Sequence, residues 1–167
     1  MSVDVAQLCG NGTTRGPCSV YPKNEFTGSG LAVNNLLDGI SSMESRYGTR
    51  CPSPGYDFWG NPIWCTGSTT VIDLQYNHEI THVVLSGAYH QHTWNTYYSM
   101  SDSRDGHSHT SCNNGASNAC GVSTNTVDFQ DEQINCTIPA TGRFLCIRSE
   151  SYLMILLELK VFATNCE

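Results

Sequence analysis

One stretch of the chain matches a catalytic pattern letter for letter. His78-Glu79-Ile80-Thr81-His82 is an HExxH arrangement, in which two imidazoles hold zinc and the glutamate works on the metal-bound water. That chemistry needs a helix, because only helical i and i+4 spacing brings both rings to one ion. Tyr76-Asn77 is a turn signal and Ile80 to Leu85 is a β-branched run, so the segment reads as turn and strand and the match as fortuitous. Two His-x-His pairs, His90-Gln91-His92 and His107-Ser108-His109, could each place two nitrogens on one face of a strand for zinc or copper. Each pair lies in or beside a polar loop, and neither comes with a visible third ligand, so they read as exposed loop histidines.

Two acids far apart in sequence suggest different chemistry. Asp38 sits in the turn Asn34-Asn35-Leu36-Leu37-Asp38-Gly39, and Glu158 is the one acid in the apolar run Leu156 to Phe162. If the ends of the chain meet, as they usually do in compact domains, Asp38, Glu158 and the hydroxyl of Thr49 could share a hard cation, since calcium prefers carboxylate and carbonyl oxygen. The aromatic stretches Tyr56-Asp57-Phe58-Trp59, Ile63-Trp64 and Tyr89 to Trp94 offer either stacking platforms for sugar rings or plugs for the core, and composition alone leaves both open.

The elements that must position these residues are strands. Runs rich in β-branched and aromatic residues recur at Thr69 to Gln75, Ile80 to Ser86, Thr96 to Met100, Thr124 to Phe129, Gln133 to Ile138, Phe144 to Arg148 and Tyr152 to Phe162. The best helical candidate, Leu31 to Leu37, gives barely two turns before Asp38-Gly39 stops it. Thr49 to Gly67 and Asp102 to Gly121 read as long loops, which in a compact domain are functional or pinned by disulfides. Many short strands without long helices indicate a sandwich or jelly roll.

Composition narrows the setting. At 167 residues the chain reads as one domain, 1–167, with no internal repeat or linker. Nine cysteines without a CxxC pair point to structural disulfides in an oxidising compartment, and an odd count leaves at least one without a partner in the chain. The sequons Asn11-Gly12-Thr13 and Asn135-Cys136-Thr137 agree with a secreted glycoprotein. The start, Met1 to Val5, lacks the basic and apolar pattern of a signal peptide and is expected to be a mature end behind an initiator methionine. Eight Lys and Arg against fifteen Asp and Glu give a formal charge of -7, the wrong sign for nucleic acid or an anionic lipid surface. No apolar run is long enough to cross a membrane.

These features resemble the F-type lectins, the fucolectin family of discoidin-like jelly rolls. The resemblance is carried by Asn35-Leu36-Leu37-Asp38-Gly39, by Gly48-Thr49 with Cys51 close behind, by Val71-Ile72-Asp73-Leu74, by Cys120 and Cys136, by Gly142-Arg143-Phe144-Leu145 and by Leu157-Glu158-Leu159-Lys160-Val161-Phe162. It spans a core of about residues 28–163. It implies an all-β, discoidin-like jelly-roll β-sandwich of about eight strands with long loops, stabilised by disulfides. It also implies a structural calcium held by the backbone oxygens of Asn35, Ile40 and Leu157, the carboxylates of Asp38 and Glu158, and the hydroxyl of Thr49. A Cys120–Cys136 disulfide follows from the same resemblance.

The departures are as informative. The family's cysteine in the closing strand is replaced by Leu157, so Cys51 must find another partner or stay free. Pairing of Cys9 or Cys18 with Cys166 would staple the two ends. The family holds fucose with a histidine from the first loop and two arginines flanking adjacent cysteines, whereas Leu85 to Trp94 contains neither arginine nor cysteine. Fucose specificity therefore does not carry over, and Arg50, Tyr89, His90, His92 and Trp94 become the candidate ligand-binding residues. The expected function is a secreted, non-enzymatic, lectin-like protein that binds glycans or glycoproteins with a non-standard pocket. The alternative is a structural or interaction subunit of an extracellular assembly, a homo-oligomer or a disulfide-linked one, that has lost sugar binding. A zinc hydrolase using His78, Glu79 and His82 would need a helix there.

Overall fold

Alternation of apolar and polar residues along three long segments sets the architecture. In the computed structural model, which describes residues 2–22, 33–40, 46–50, 55–56, 58–59, 62–63, 68–90, 96–101, 119–123, 131–149 and 153–164, these segments are the strands β6 (Ser68–His90), β9 (Asp131–Ser149) and β10 (Leu153–Thr164). Shorter strands complete the set among the described residues: β1 (Ser2–Asp4), β2 (Ser19–Pro22), β3 (Tyr47–Arg50), β4 (Gly55–Tyr56), β5 (Pro62–Ile63), β7 (Thr96–Ser101) and β8 (Ala119–Ser123). Eight of the ten form one antiparallel sheet in the order β1-β10-β6-β9-β7-β8, with β2 also on β6 and β3 also on β10.

The long strands serve two sets of neighbours in turn. The first part of β6 pairs with β2 and with the C-terminal half of β9, and its second part pairs with β10 and the N-terminal half of β9. Between these parts the register on β9 shifts, from Asp73 to His78, and Gln75 takes a φ of 70°. The Tyr76-Asn77 turn signal is thus expressed as a bulge inside one strand, where the extra residues bend and twist the sheet so that it curls on itself.

The faces of β9 show how the core is divided. Leu145 and Ile147 pack into the main core with Leu36, Leu37, Ile72, Leu85, Leu156, Leu159 and Val161. Their neighbours Phe144 and Cys146 point the other way, against Val71 and Tyr21, as a period of two requires. Fully burying a Leu or Ile stabilises the fold by about 1.5–3 kcal/mol each, so this shared interior dominates the energetics.

Several expectations change. The helical candidate is a 3-10 segment, Val33–Leu37. The long loop after Thr49 contains the small hairpin β4–β5, and the loop to Gly121 ends in β8. The run Thr124 to Phe129 lies outside the described residues. The chain ends do meet, but through β1 on β10, with Asp4 opposite Phe162. Asp4 Oδ1 accepts from the backbone N–H groups of Ala6 and Val161, both at 3.1 Å. Cys9 is bonded to Cys18, so neither is open to Cys166, and the bridge closes a local loop instead of stapling the ends. Cys120 is bonded to Cys136, and Cys146 is also in a disulfide.

Candidate functional site

The turn that follows the 3-10 segment is tethered from three sides. Gln7 Nε2 donates to the carbonyl of Leu37 at 2.7 Å, and Asn35 Nδ2 donates to the carbonyl of Arg46, just before β3, at 2.9 Å. Gly39 has a φ of 82°, a conformation that costs a side-chain-bearing residue. Its N–H thereby reaches Glu158 Oε2 on β10 at 3.1 Å, while the Ile40 N–H donates to Asp38 Oδ1 at 2.8 Å.

Glu158 is the unusual group here. It is 1% exposed, and its second oxygen, Oε1, has no hydrogen-bond partner among the described residues. Burial first, then the hydrogen bond and negative charge of Asp38 and the charge of Asp4, push its pKa up to about 8, against a single lowering influence, the Gly39 N–H. A buried carboxylate beside that of Asp38, with an orphaned oxygen, is a costly arrangement for a chain on its own. It fits a hard cation that takes oxygen ligands.

Of the six residues named for calcium, Asn35 lies in the 3-10 segment, Asp38 and Ile40 lie on the turn after it, and Leu157 and Glu158 are neighbours on β10. Thr49 is a correction. The register of β3 on β10 sets it opposite Met154, four residues from Glu158. That is roughly 13 Å along the strand, beyond what two side chains and a cation with bonds of about 2.4 Å span. The part of β3 that approaches Glu158 is its start, where Arg46 accepts from Asn35.

Two of the candidate ligand segments converge at the other end of β3. Leu153 at the start of β10 pairs with Arg50, and its neighbours Met154 and Ile155 pair with His90 and Tyr89. The backbones of Arg50, Tyr89 and His90 therefore flank one strand end. His92 and Trp94 lie outside the described residues, as do His107, His109 and Trp64. The hairpin β4–β5 begins five residues beyond Arg50, within about 18 Å of it by chain reach. At its turn Phe58 and Trp59 are 95% and 80% exposed and meet edge to face, with ring centroids 5.8 Å apart. These two aromatics are not core plugs.

The HExxH segment runs entirely within β6. His78 pairs with Gly142 and His82 with Asn135, so the two histidines are about four strand residues, roughly 13 Å, apart, and zinc with bonds near 2 Å cannot join them. His82 instead stacks on Phe162, with ring centroids 4.5 Å apart.

Two partnerships were not legible in the sequence. Asp73 and Arg143, which sit in two of the short motifs quoted above, form a two-pronged ion pair at 2.8 and 2.9 Å across β6 and β9. A cleft of about 460 Å³ opens between the Cys9–Cys18 loop and the bulge of β6. The glycines and proline between Cys9 and Cys18 were a legible sign of a local loop.

No protein-family model matches the chain, and no curated protein does. Solved structures do. An F-lectin (fucolectin) from the serum of striped bass, Morone saxatilis, superposes with a TM-score of 0.69 at 16% identity, covering 99% of this chain and 48% of that one. The chain thus spans about half the length of that fucolectin. Chitosan-binding module 1 from a Paenibacillus chitosanase/glucanase gives 0.58 at 15% identity, over 95% and 98% of the two chains. The family 32 carbohydrate-binding module of Clostridium perfringens NanJ, solved in complex with galactose, gives 0.55 at 10% identity, over 86% and 92%. At these identities the likeness is one of fold, and that fold is the discoidin-like β-sandwich jelly roll shared by the F-type lectin and these carbohydrate-binding modules.

Proposed function

We propose that the chain is a secreted glycan-binding domain of F-type lectin architecture with a non-standard sugar pocket, its first loop ordered by a structural calcium. The observation that carries the calcium reading is Glu158, buried beside Asp38 with one oxygen unsatisfied among the described residues. Asp38 and Glu158 would supply the charged ligands, with backbone oxygens of Asn35, Ile40 and Leu157. The remaining donor would come from the start of β3 near Arg46 in place of Thr49. Bound calcium supplies positive charge and no redox or acid–base chemistry.

The physical consequence runs along β3. Fixing the turn at Asp38 to Ile40 fixes, through Asn35 and Arg46, the strand whose far end is Arg50. Pre-ordering that end lowers the entropy cost of closing on a ligand. Arg50, His90 and His92 would donate to hydroxyls, and Tyr89 and Trp94 would stack on a ring face, with Phe58 and Trp59 as a further platform. Structures of the same fold hold galactose, GalNAc-β-1,3-galactose and chitotriose, which supports glycans as the ligand class. Three cysteine pairings or more suit an oxidising, extracellular setting.

A glycan array at saturating calcium, with folded protein, tests this reading. Binding to at least one glycan class, weakened by Tyr89→Ala or Trp94→Ala, is the expected result, and an empty array rejects it. A second reading, a subunit of an extracellular assembly, is favoured by the odd count of nine cysteines and the exposed Phe58 and Trp59. Native mass spectrometry with and without reductant separates the two, since a disulfide-linked oligomer without sugar affinity supports the assembly.

A further inference from the structure

The cleft beside the β6 bulge lies at the opposite end of the sheet from Arg50 and His90. It reaches Thr164, ten residues along β10 from the Met154 that pairs with His90, which is about 33 Å at strand spacing. It is therefore separate from the proposed pocket, and it shares no lining residue with the calcium turn.

Its walls are held rigidly. On one side the Cys9–Cys18 bridge closes a loop in which Cys9 and Gly16 exchange backbone hydrogen bonds at 3.0 and 2.8 Å. Gly10 takes a φ of 102°, and a Cβ there would come within 2.7 Å of the Thr14 carbonyl oxygen. On the other side Gln75 is held at positive φ by two contacts. Its N–H donates to Asp73 Oδ1 at 2.8 Å, and its Oε1 accepts from the Gly10 N–H at 2.7 Å. Asp73 is in turn clamped by Arg143. A non-glycine residue in this conformation is strained and persists only where its surroundings enforce it. Here the enforced bulge presents Tyr76, Asn77 and His78 to the cleft.

The chemistry of the lining is the reverse of the chain's. The chain carries a formal charge of -7, yet no Asp or Glu is among the described residues that line this cleft. Arg15 is the charged residue there, exposed and making no ion pair with any described residue. Tyr76 offers its ring to solvent at 64% exposure, Asn77 adds an amide and His78 an imidazole, over a floor that includes Val5 and Leu74. A lone unpaired guanidinium recognises a carboxylate with two parallel hydrogen bonds. An exposed aromatic face beside further donors suits a ring that is apolar on one face and hydroxylated at its edge. The volume is in the range of small-molecule sites.

We infer that this cleft is a second binding site, for a carboxylated pyranose: the carboxylate on Arg15, the ring on Tyr76, and the hydroxyls on Asn77 and His78. The probe is sodium D-glucuronate, titrated into isotopically labelled protein made without N-glycosylation so that Asn11 at the rim is bare, with amide shifts read by NMR. Millimolar binding should move the signals of Gly10 to Gly16 and Tyr76 to His78 and leave Tyr89 and His90 unmoved. D-glucose and benzoate, each lacking half of the recognised chemistry, should bind at least about tenfold more weakly. Arg15→Ala should weaken glucuronate by about tenfold, with partial rescue by Arg15→Lys. Arg15 and Tyr76 are exposed, so neither Arg15→Ala nor Tyr76→Ala should disturb the fold, and their unperturbed spectra elsewhere would confirm it. No shift in these segments, glucose or benzoate binding as well as glucuronate, or indifference to Arg15→Ala would overturn the inference. Because the signals are assigned by residue, failure here is distinct from failure of the proposed pocket near Tyr89.

Discussion

Replacing Glu158 by glutamine should make the calcium-free protein more stable and make calcium irrelevant to it. Glutamine keeps the shape of the side chain and can still accept from the Gly39 N–H, but it never carries the buried charge. In the native chain the pKa of Glu158 rises from 4.5 to about 8. The folded state therefore holds a proton that the unfolded state has lost between these values. The sign follows: without calcium, the contribution of this group is full below pH 4.5, shrinks as pH rises, and is gone above about pH 8. At about 1.4 kcal/mol per unit the loss is roughly 3 kcal/mol at pH 7 and about 5 kcal/mol above pH 8. In chelator at pH 7, Glu158→Gln should thus raise Tm by roughly 6–12 °C, at about 2–4 °C per kcal/mol for a chain of this size. Calcium at a hundredfold its Kd should stabilise the native chain by about 2.7 kcal/mol and the variant by nothing. Thermal unfolding of both proteins, in chelator and in calcium, reads all four values. A variant less stable than the native chain in chelator, or an equal response of both to calcium, would mean that Glu158 is neither a buried liability nor a calcium ligand.

Other outcomes follow from the same structure. Calcium must displace the proton on Glu158, so its affinity, measured calorimetrically, should rise by up to about tenfold per unit to about pH 8 and level off above it. A flat profile would mean that Glu158 is not a ligand. Changing Cys120 and Cys136 together to serine opens a closure of 16 residues, and urea unfolding should show a loss of about 3 kcal/mol. Gly10→Ala adds a Cβ 2.7 Å from the Thr14 carbonyl oxygen at a φ of 102° and should cost about 1–3 kcal/mol, whereas an unchanged midpoint would mean that the Cys9–Cys18 loop yields freely.

How far the sequence could be read depended on where each element draws its stability. β6, β9 and β10 were legible because their own alternation encodes burial on defined faces, as Leu145 and Ile147 against Phe144 and Cys146 illustrate. β1 and β2 were not, because strands of three and four residues have little pattern of their own and exist through their pairing with β10 and β6. Thr49 was misplaced for a related reason. Matching Gly48-Thr49 to a motif counts residues along one strand, while the neighbours of Glu158 are set by the register between two. The Asp38 turn was readable in residue type, since Asp-Gly favours a turn and Gly39 supplies the positive φ. What no local pattern could report was the depth of Glu158, the proximity of Asp4, or the clamp from Arg143 through Asp73 to the Gln75 bulge, all of which are products of the curled sheet.

A calcium-ordered turn that prepares a glycan site at the end of β3 makes glycan affinity depend on calcium. Calorimetric titration of the strongest array glycan, with calcium and with chelator, tests it most directly. Binding should be saturable in calcium and weaken sharply in chelator and in Glu158→Gln held in calcium. Binding of equal strength in all three, or no glycan binding to the folded, calcium-loaded protein, would contradict it.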